Sequence, residues 1–515
     1  MLLKIYKFFR EGIFWLSLLI IAFLTVNSLL WTSYFKWDES EQYLGEKIFY
    51  KSDNFVLTII CFAILFCILY QTKCFAKIKL STLTCIFFIY VVLVSGIWVY
   101  LANPIPVADD MMVTSAAKDF MSGNYVQLQE GGYLNNFTHQ LGVTFFIEIL
   151  FRIFGKGGIV VFRVINVIAL IGIYVILLKI SKLLFKKESV QRCCIILLGG
   201  FWVPLFYVTF VYGNTIGLAL ALTAVWLEIV YIRTRRIKTI VVSVLLAVLS
   251  TLIKSNYLIF IIAMILILVI DGLKERRKIN VLICVAFLSA NTLLSNIVLY
   301  QYEYRAGCEL KGTSKLLWIA MGMSDETLYA EGWYNLSLGN MLNEIAKSED
   351  SGAEIAIKSI KQSMNKFEND KLKACKFYYN KIVSQWNEPS FEALWVNYHQ
   401  PEQHDGEQSA ILNSIYRGAL NKIINWEFNF WHFLILSLTL VYVISQTICS
   451  KLKNMSIEHL FLLVIVIGGF FFHILWEAKS QYIWTYFILL IPYSAAGFDL
   501  LLVKVEKLKQ KIVRR

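Results

Sequence analysis

The sequence predicts an all-α fold: a polytopic bundle of twelve to thirteen transmembrane helices carrying a small, mainly helical extracytoplasmic domain. Three observations predict it. Of 515 residues, 58% are hydrophobic and only 17% charged, with a mean hydropathy of +0.61, a balance foreign to soluble globular chains. Apolar runs of about 20 residues, the length of helix that crosses a hydrocarbon core, recur along the chain. Lys and Arg gather in clusters between alternate pairs of those runs, the asymmetry that orients membrane proteins. A net charge of +13 would otherwise suggest nucleic acid as a partner, but the apolar runs exceed what any groove-binding module needs. Low polarity excludes a disordered chain. Ten cysteines in 515 residues are too sparse for a disulfide scaffold.

Taken in order, the spans fall at 12–34, 55–72, 82–102, 158–178, 193–211, 213–232, 239–257, 256–272, 279–300, 428–448, 457–475 and 480–500. Tyr212-Gly213-Asn214 and Lys254-Ser255-Asn256 provide the turns where two pairs abut. The N-terminal run lacks a small-residue cleavage site and reads as a retained span. A further apolar stretch, 141–155, is short and holds Glu148 and Arg152. If it stays on the outer face, every basic cluster falls in the cytoplasm: Lys4/Lys7/Arg10, Lys73/Lys77/Lys79, Lys179–Lys187, Arg233–Lys238, Lys274–Lys278, Lys451/Lys453 and the tail from Lys504. Both termini are then cytoplasmic. The outward segments 35–54, 103–140 and 302–427 carry net charges of −2, −3 and −4. The chain thus divides into a transmembrane region 1–301 with an outer loop 103–157, an extracytoplasmic domain 302–427, and C-terminal helices with a basic tail, 428–515.

Polar groups are costly at membrane level, so ionisable residues there are candidates for function. The outer face collects most of them. Pro104 and Pro106 end the third span, and Asp109-Asp110 follow at the interface. One of the two is a candidate general base; either also suits the cap of the helix that follows, where Asp stabilises the first turn. That helix, 111–125, is amphipathic, with Met112, Ala116 and Phe120 on one face. Lys254 interrupts apolar sequence and needs an anionic partner or a wet cavity, unless it snorkels to the interface. Arg163 either binds the same anion or pairs with Glu148. Trp476, Glu477, Lys479 and Tyr482 lie between two long apolar runs and suit a sugar or headgroup platform. His399 and His404 lack the companions of a metal site. Cys308 and Cys375 could pair in an oxidising compartment. There is no P-loop, GxSxG or dinucleotide fingerprint. No cofactor is implied, and a divalent metal stays open.

The interfacial Asp after an early span, the amphipathic helix and the run Tyr133…His139-Gln140-Leu141-Gly142 resemble the polytopic C-type glycosyltransferases, the superfamily of protein O-mannosyltransferases and aminoarabinose transferases. Later stretches resemble a mostly Gram-positive bacterial branch: Leu317-Trp318-Ile319-Ala320-Met321-Gly322, Gly332-Trp333-Tyr334-Asn335, Ser384-Gln385-Trp386-Asn387-Glu388-Pro389 and Trp476–Tyr482. The resemblance implies a membrane enzyme that moves sugar from a polyprenyl-phosphate-linked donor to a cell-envelope acceptor on the outer face. Asp109 would be its base, with Asp110 the close alternative. Lys254 or Arg163 would hold the donor phosphate. Trp318, Trp333 and Trp386 are candidate stacking surfaces, although in a small domain Trp more often fills the core. Two extra spans precede the Asp-bearing loop, where better-known members have one. The rival classes are a flippase for a lipid-linked glycan, which would show repeated halves and broken midplane helices, and a non-enzymatic binding protein.

Overall fold

The computed structural model describes residues 2–37, 46–53, 55–71, 77–325, 330–345, 352–397, 406–448 and 455–513. Among these the chain is an all-α polytopic bundle with one two-stranded hairpin. Nine helical stretches are long and apolar enough to cross a membrane, ten if the bent pair Glu188–Gly200 and Val203–Thr209 forms one span. Two shorter apolar helices, Val56–Cys67 and Ile237–Ile253, account for the other segments read from sequence. The latter has 17 residues and so rises about 26 Å, slightly less than a typical hydrocarbon core.

The stretch Thr138–Phe185 is almost continuous helix. It divides at Gly155, whose φ of 55° suits a residue without a side chain. The helix before the break, Leu141–Phe154, has 14 residues. It rises about 21 Å, too short to span, as its two charged residues suggested. It packs against the helices Ala108–Met121 and Ile279–Ala306. Glu148 fastens it there. Its carboxylate accepts from Tyr302 at 2.8 Å and from Arg305 at 2.6 and 2.9 Å, with Arg152 also at 2.6 Å. Glu148 is therefore the partner of Arg305 and Arg152, not of Arg163.

The basic clusters meet at the opposite end of the bundle. Lys187 pairs with Asp499 at 3.0 Å, Arg233 with Glu458 at 2.9 Å, and Arg235 with Asp271 at 2.5 Å. Tyr6 donates to the Met455 carbonyl, and the Lys274 ammonium lies over the Tyr6 ring. Lys73, Lys451 and Lys453 lie outside the described residues, as do His399 and His404.

The described residues of 302–427 are mostly helical, with small apolar clusters around Leu317, Met321 and Met341 and around Met323, Phe367 and Phe377. Its later part enters the main core, where Trp386, Phe391, Val396, Leu412 and Ile415 pack among transmembrane residues. The hairpin was not foreseen. Strands Trp31–Trp37 and Glu46–Ser52 pair antiparallel from Trp31↔Ser52 to Trp37↔Glu46. Their β-branched and aromatic residues favour a pleated surface. Ser33 N–H donates to the Asn387 carbonyl at 3.1 Å, the Asn387 amide donates to the Trp31 carbonyl at 2.7 Å, and Phe35 stacks on Trp333.

Candidate active site

The two adjacent aspartates part company in the structure. Helix Ala108–Met121 is capped at Val107, and Asp110 is its third residue. The Asp110 carboxylate accepts from the Val107 N–H at 2.8 Å, the return half of a capping box, and is 4% exposed. Burial pushes its pKa well above the usual carboxylate range, with Asp109 adding to the rise. Asp109 is exposed. Ala108, immediately before it, has a φ of 51°, a conformation rarely adopted by residues with a side chain. Asp109 accepts from the Tyr133 hydroxyl at 3.0 Å and from the Tyr212 hydroxyl at 3.4 Å. The buried face of this helix is Val113, Ala116, Ala117 and Phe120, so Met112 is not part of it.

Lys254 joins Asp109 from another element. It caps helix Ile237–Ile253 with an extended backbone and is 8% exposed. Its ammonium lies 3.7 Å from the Tyr212 ring centroid and 5.3 Å from that of Tyr482, so two aromatic faces replace much of its water. Burial lowers its pKa to about 7, against the pull of Asp109 and Glu477. Gln140 donates to the Tyr212 hydroxyl and lies 3.3 Å from the His139 ring nitrogen. Tyr482 donates to Glu477 at 3.2 Å. Tyr133, His139, Gln140, Tyr212, Lys254, Glu477 and Tyr482 thus converge on Asp109 from four separate stretches of chain. Tyr212 links them, and burial and the nearby Asp109 push its pKa well above the ordinary phenol range.

Asp109, Asp110, Tyr212, Lys479 and Gln481 line one cleft, with Phe210, Trp395 and Val396 as its apolar wall. On the other side Trp476 stacks on Trp318, ring centroids 5.9 Å apart and planes 6° apart, and on Phe472 at 4.9 Å. His139 meets Trp318 edge-on at 5.4 Å. Both tryptophans are partly exposed, whereas Trp333 and Trp386 are 3% and 1% exposed and belong to the core. Among the described residues no group of three or more His, Cys, Asp or Glu is arranged to hold a metal.

Arg163 does not join the cluster. It is 2% exposed, and its guanidinium donates to Asn103, to the Pro104 carbonyl and to the Thr209 carbonyl. It braces the turn that delivers Asp109. Cys308 and Cys375 are free thiols; Cys308 lies 3.5 Å from the Leu128 carbonyl, away from the helix that carries Cys375.

The four later motifs, far apart in sequence, meet around the loop 473–482. A Cβ on Gly322 would lie 2.6 Å from the Leu475 and Trp476 carbonyl oxygens, so only glycine permits that approach. The Ala478 N–H donates to the Gly332 carbonyl at 2.8 Å, and Gln385 donates to the His473 carbonyl at 3.2 Å. Ser480 Oγ lies 2.9 Å from both Glu388 and Glu392, and Glu392 also accepts from the Gln481 N–H. Burial raises the Glu388 pKa. Lys381, Glu388 and Glu392 were given no role in the sequence reading. Phe377, Lys381, Ser384 and Glu388 do recur at helical spacing, and a Lys in that row is the signal that was available.

A family model described as dolichyl-phosphate-mannose-protein mannosyltransferase matches residues 138–299. The match covers His139, Gln140, Tyr212 and Lys254 and begins after Asp109. It supports the resemblance to the polytopic C-type glycosyltransferase superfamily. No curated protein matches the chain. Among solved structures, the archaeal oligosaccharyltransferase AglB from Archaeoglobus fulgidus, in complex with an inhibitory peptide and a dolichol-phosphate, is similar at 14% identity and a TM-score of 0.42. The similarity covers 83% of this chain and 52% of that one, so this chain spans about half its length.

Proposed function

We propose that this chain is an integral membrane glycosyltransferase that moves a sugar from a polyprenyl-phosphate-linked donor to a hydroxyl of a cell-envelope acceptor, with Asp109 as general base. One observation carries the reading. An exposed carboxylate, held by two tyrosine hydroxyls, sits beside a buried ammonium at the mouth of a cleft. The family match over residues 138–299 supports the class of donor.

In the proposed reaction the acceptor oxygen attacks the anomeric carbon while Asp109 takes its proton. The bond from that carbon to the phosphate oxygen breaks, and polyprenyl phosphate leaves with the electron pair. Lys254 stabilises the charge that develops on it, in a site shielded from water, where such an interaction is strongest. A single displacement of this kind inverts the anomeric centre. Tyr133 and Tyr212 fix the carboxylate, and Gln140 orients Tyr212. Trp318 and Trp476 offer partly exposed faces of the kind that stack on sugar rings. Arg163 serves by holding Asn103 and Pro104, not by binding phosphate. The active site faces outward under the charge asymmetry of the chain.

Transfer from a radiolabelled polyprenyl-phosphate sugar in membranes tests this. Asp109→Asn should lower the rate by about 10²–10⁴-fold, the range of general base catalysis, at unchanged protein level. Full transfer by that variant removes the assignment.

A further inference from the structure

Lys381 is the most deeply buried lysine among the described residues, at 0% exposure. It lies on helix Lys371–Trp386, in a segment otherwise rich in solvated lysines. Its ammonium donates to the Gly322 carbonyl, and its stem fills the space that a side chain on Gly332 would need. An ammonium out of water needs a counter-charge. The charge that acts on it is Glu477, itself 7% exposed. Glu477 accepts from Tyr482, whose ring faces Lys254, and Glu477 and Asp109 both act on Lys254. Read across the site, the charges alternate: Lys381, Glu477, Lys254, Asp109.

We propose that Lys381 is a positioning residue for the Asp109 site, acting through Glu477 to set the charge on Lys254. This rests on the proposed role of Lys254 at the donor phosphate. Removing Lys381 withdraws one positive charge that acts on Glu477, and the stronger negative field holds the proton on Lys254 to higher pH. Removing Glu477 does the reverse. The other groups facing Lys254 are Asp109, Lys479, His139, Tyr212 and Tyr482; K381M leaves all five in place, and E477Q leaves the Tyr482 hydroxyl an amide oxygen to donate to. Burial holds both Lys254 and Lys381 near 7, so the two ammonium groups sit where small changes of field change their charge.

The test is competitive labelling of amines with isotope-coded acetic anhydride across pH, on the purified full-length chain in detergent, read by mass spectrometry at Lys254. In K381M the Lys254 midpoint should rise by about one pH unit, the scale of a single charge contact in a partly buried site. K381R should restore the wild-type value, and E477Q should lower it. A folded K381M with an unmoved midpoint overturns the proposal. If K381M does not fold, an unmoved midpoint in E477Q overturns it instead. Because labelling needs no substrate, loss of the transfer reading would show separately, as full transfer by D109N beside an intact Lys254 shift.

Discussion

Asp109 and Asp110 share a backbone turn and a cleft but differ in burial and in partners. Asp110 is buried and bonded to Val107, and burial raises its pKa, an arrangement that suits the start of the helix. Asp110→Asn preserves an acceptor for the Val107 N–H and should leave both stability and transfer near wild type. Asp110→Ala should cost about 1 kcal/mol, the usual worth of a cap, measured by thermal unfolding in detergent. This contrast with Asp109→Asn separates cap from base by two adjacent substitutions. Lys254 makes a prediction in pH. Its folded pKa is lowered to about 7 by burial, so its positive charge is present below that value and is lost as pH rises through it. Transfer that depends on the charge should therefore fall on the alkaline side of about pH 7. Lys254→Arg keeps a cation at all accessible pH and should abolish that limb while lowering the maximum rate, because a planar guanidinium replaces a compact ammonium between two rings. A rate that stays level from pH 6 to 9 in wild type would remove Lys254 from the reaction.

At the scale of elements, the site is assembled by a loop clamped from the side. The loop 473–482 presents Trp476, Glu477 and Lys479, and it is pinned by Gly322, Gly332, Gln385, Glu388 and Glu392. Gly322→Ala should destabilise the chain by about 2 kcal/mol, since backbone oxygens cannot yield as a flexible side chain can. It should also lower transfer by displacing the loop, and a variant with wild-type unfolding temperature and rate would show that the loop is not clamped there. These pins explain why the four motifs are legible as an ordered set yet opaque one at a time. Each looks like an isolated cluster of aromatics and glycine, and only their packing on one loop gives them a shared purpose. The helices themselves were legible because apolar runs and turn residues are local signals. The hairpin was not, because Trp31–Trp37 and Glu46–Ser52 pair with each other and dock on Asn387 across more than 300 residues. Lys381 was hidden for the same reason: its neighbours Gly322 and Glu477 are distant in sequence, and a lysine in a polar helix reads as solvated.

For the whole molecule, charge and geometry tell one story from opposite ends. The clusters at 4–10, 179–187, 233–238 and 274–278 are joined through Asp499, Glu458, Asp271 and Tyr6 at one end of the bundle. Asp109, Tyr212, Lys254 and Tyr482 gather at the other. If the basic end is cytoplasmic, as the Lys and Arg bias predicts, the cleft would open outside, where the proposed lipid-linked donor could be used without a nucleotide. Cys375 offers a natural probe, being an exposed free thiol on the helix that carries Lys381. A membrane-impermeant maleimide should label it in intact cells, with Cys375→Ser as the control. A reporter fused after Arg515 should be active only if it is cytoplasmic. The two results are linked, because the number of crossings between Cys375 and Arg515 is odd when 428–448, 457–475 and 480–500 each cross. Labelled Cys375 with a cytoplasmic reporter places the cleft outside. Unlabelled Cys375 that becomes reactive only on permeabilisation, with an external reporter, would invert the bundle. It would then require a donor presented on the inner leaflet.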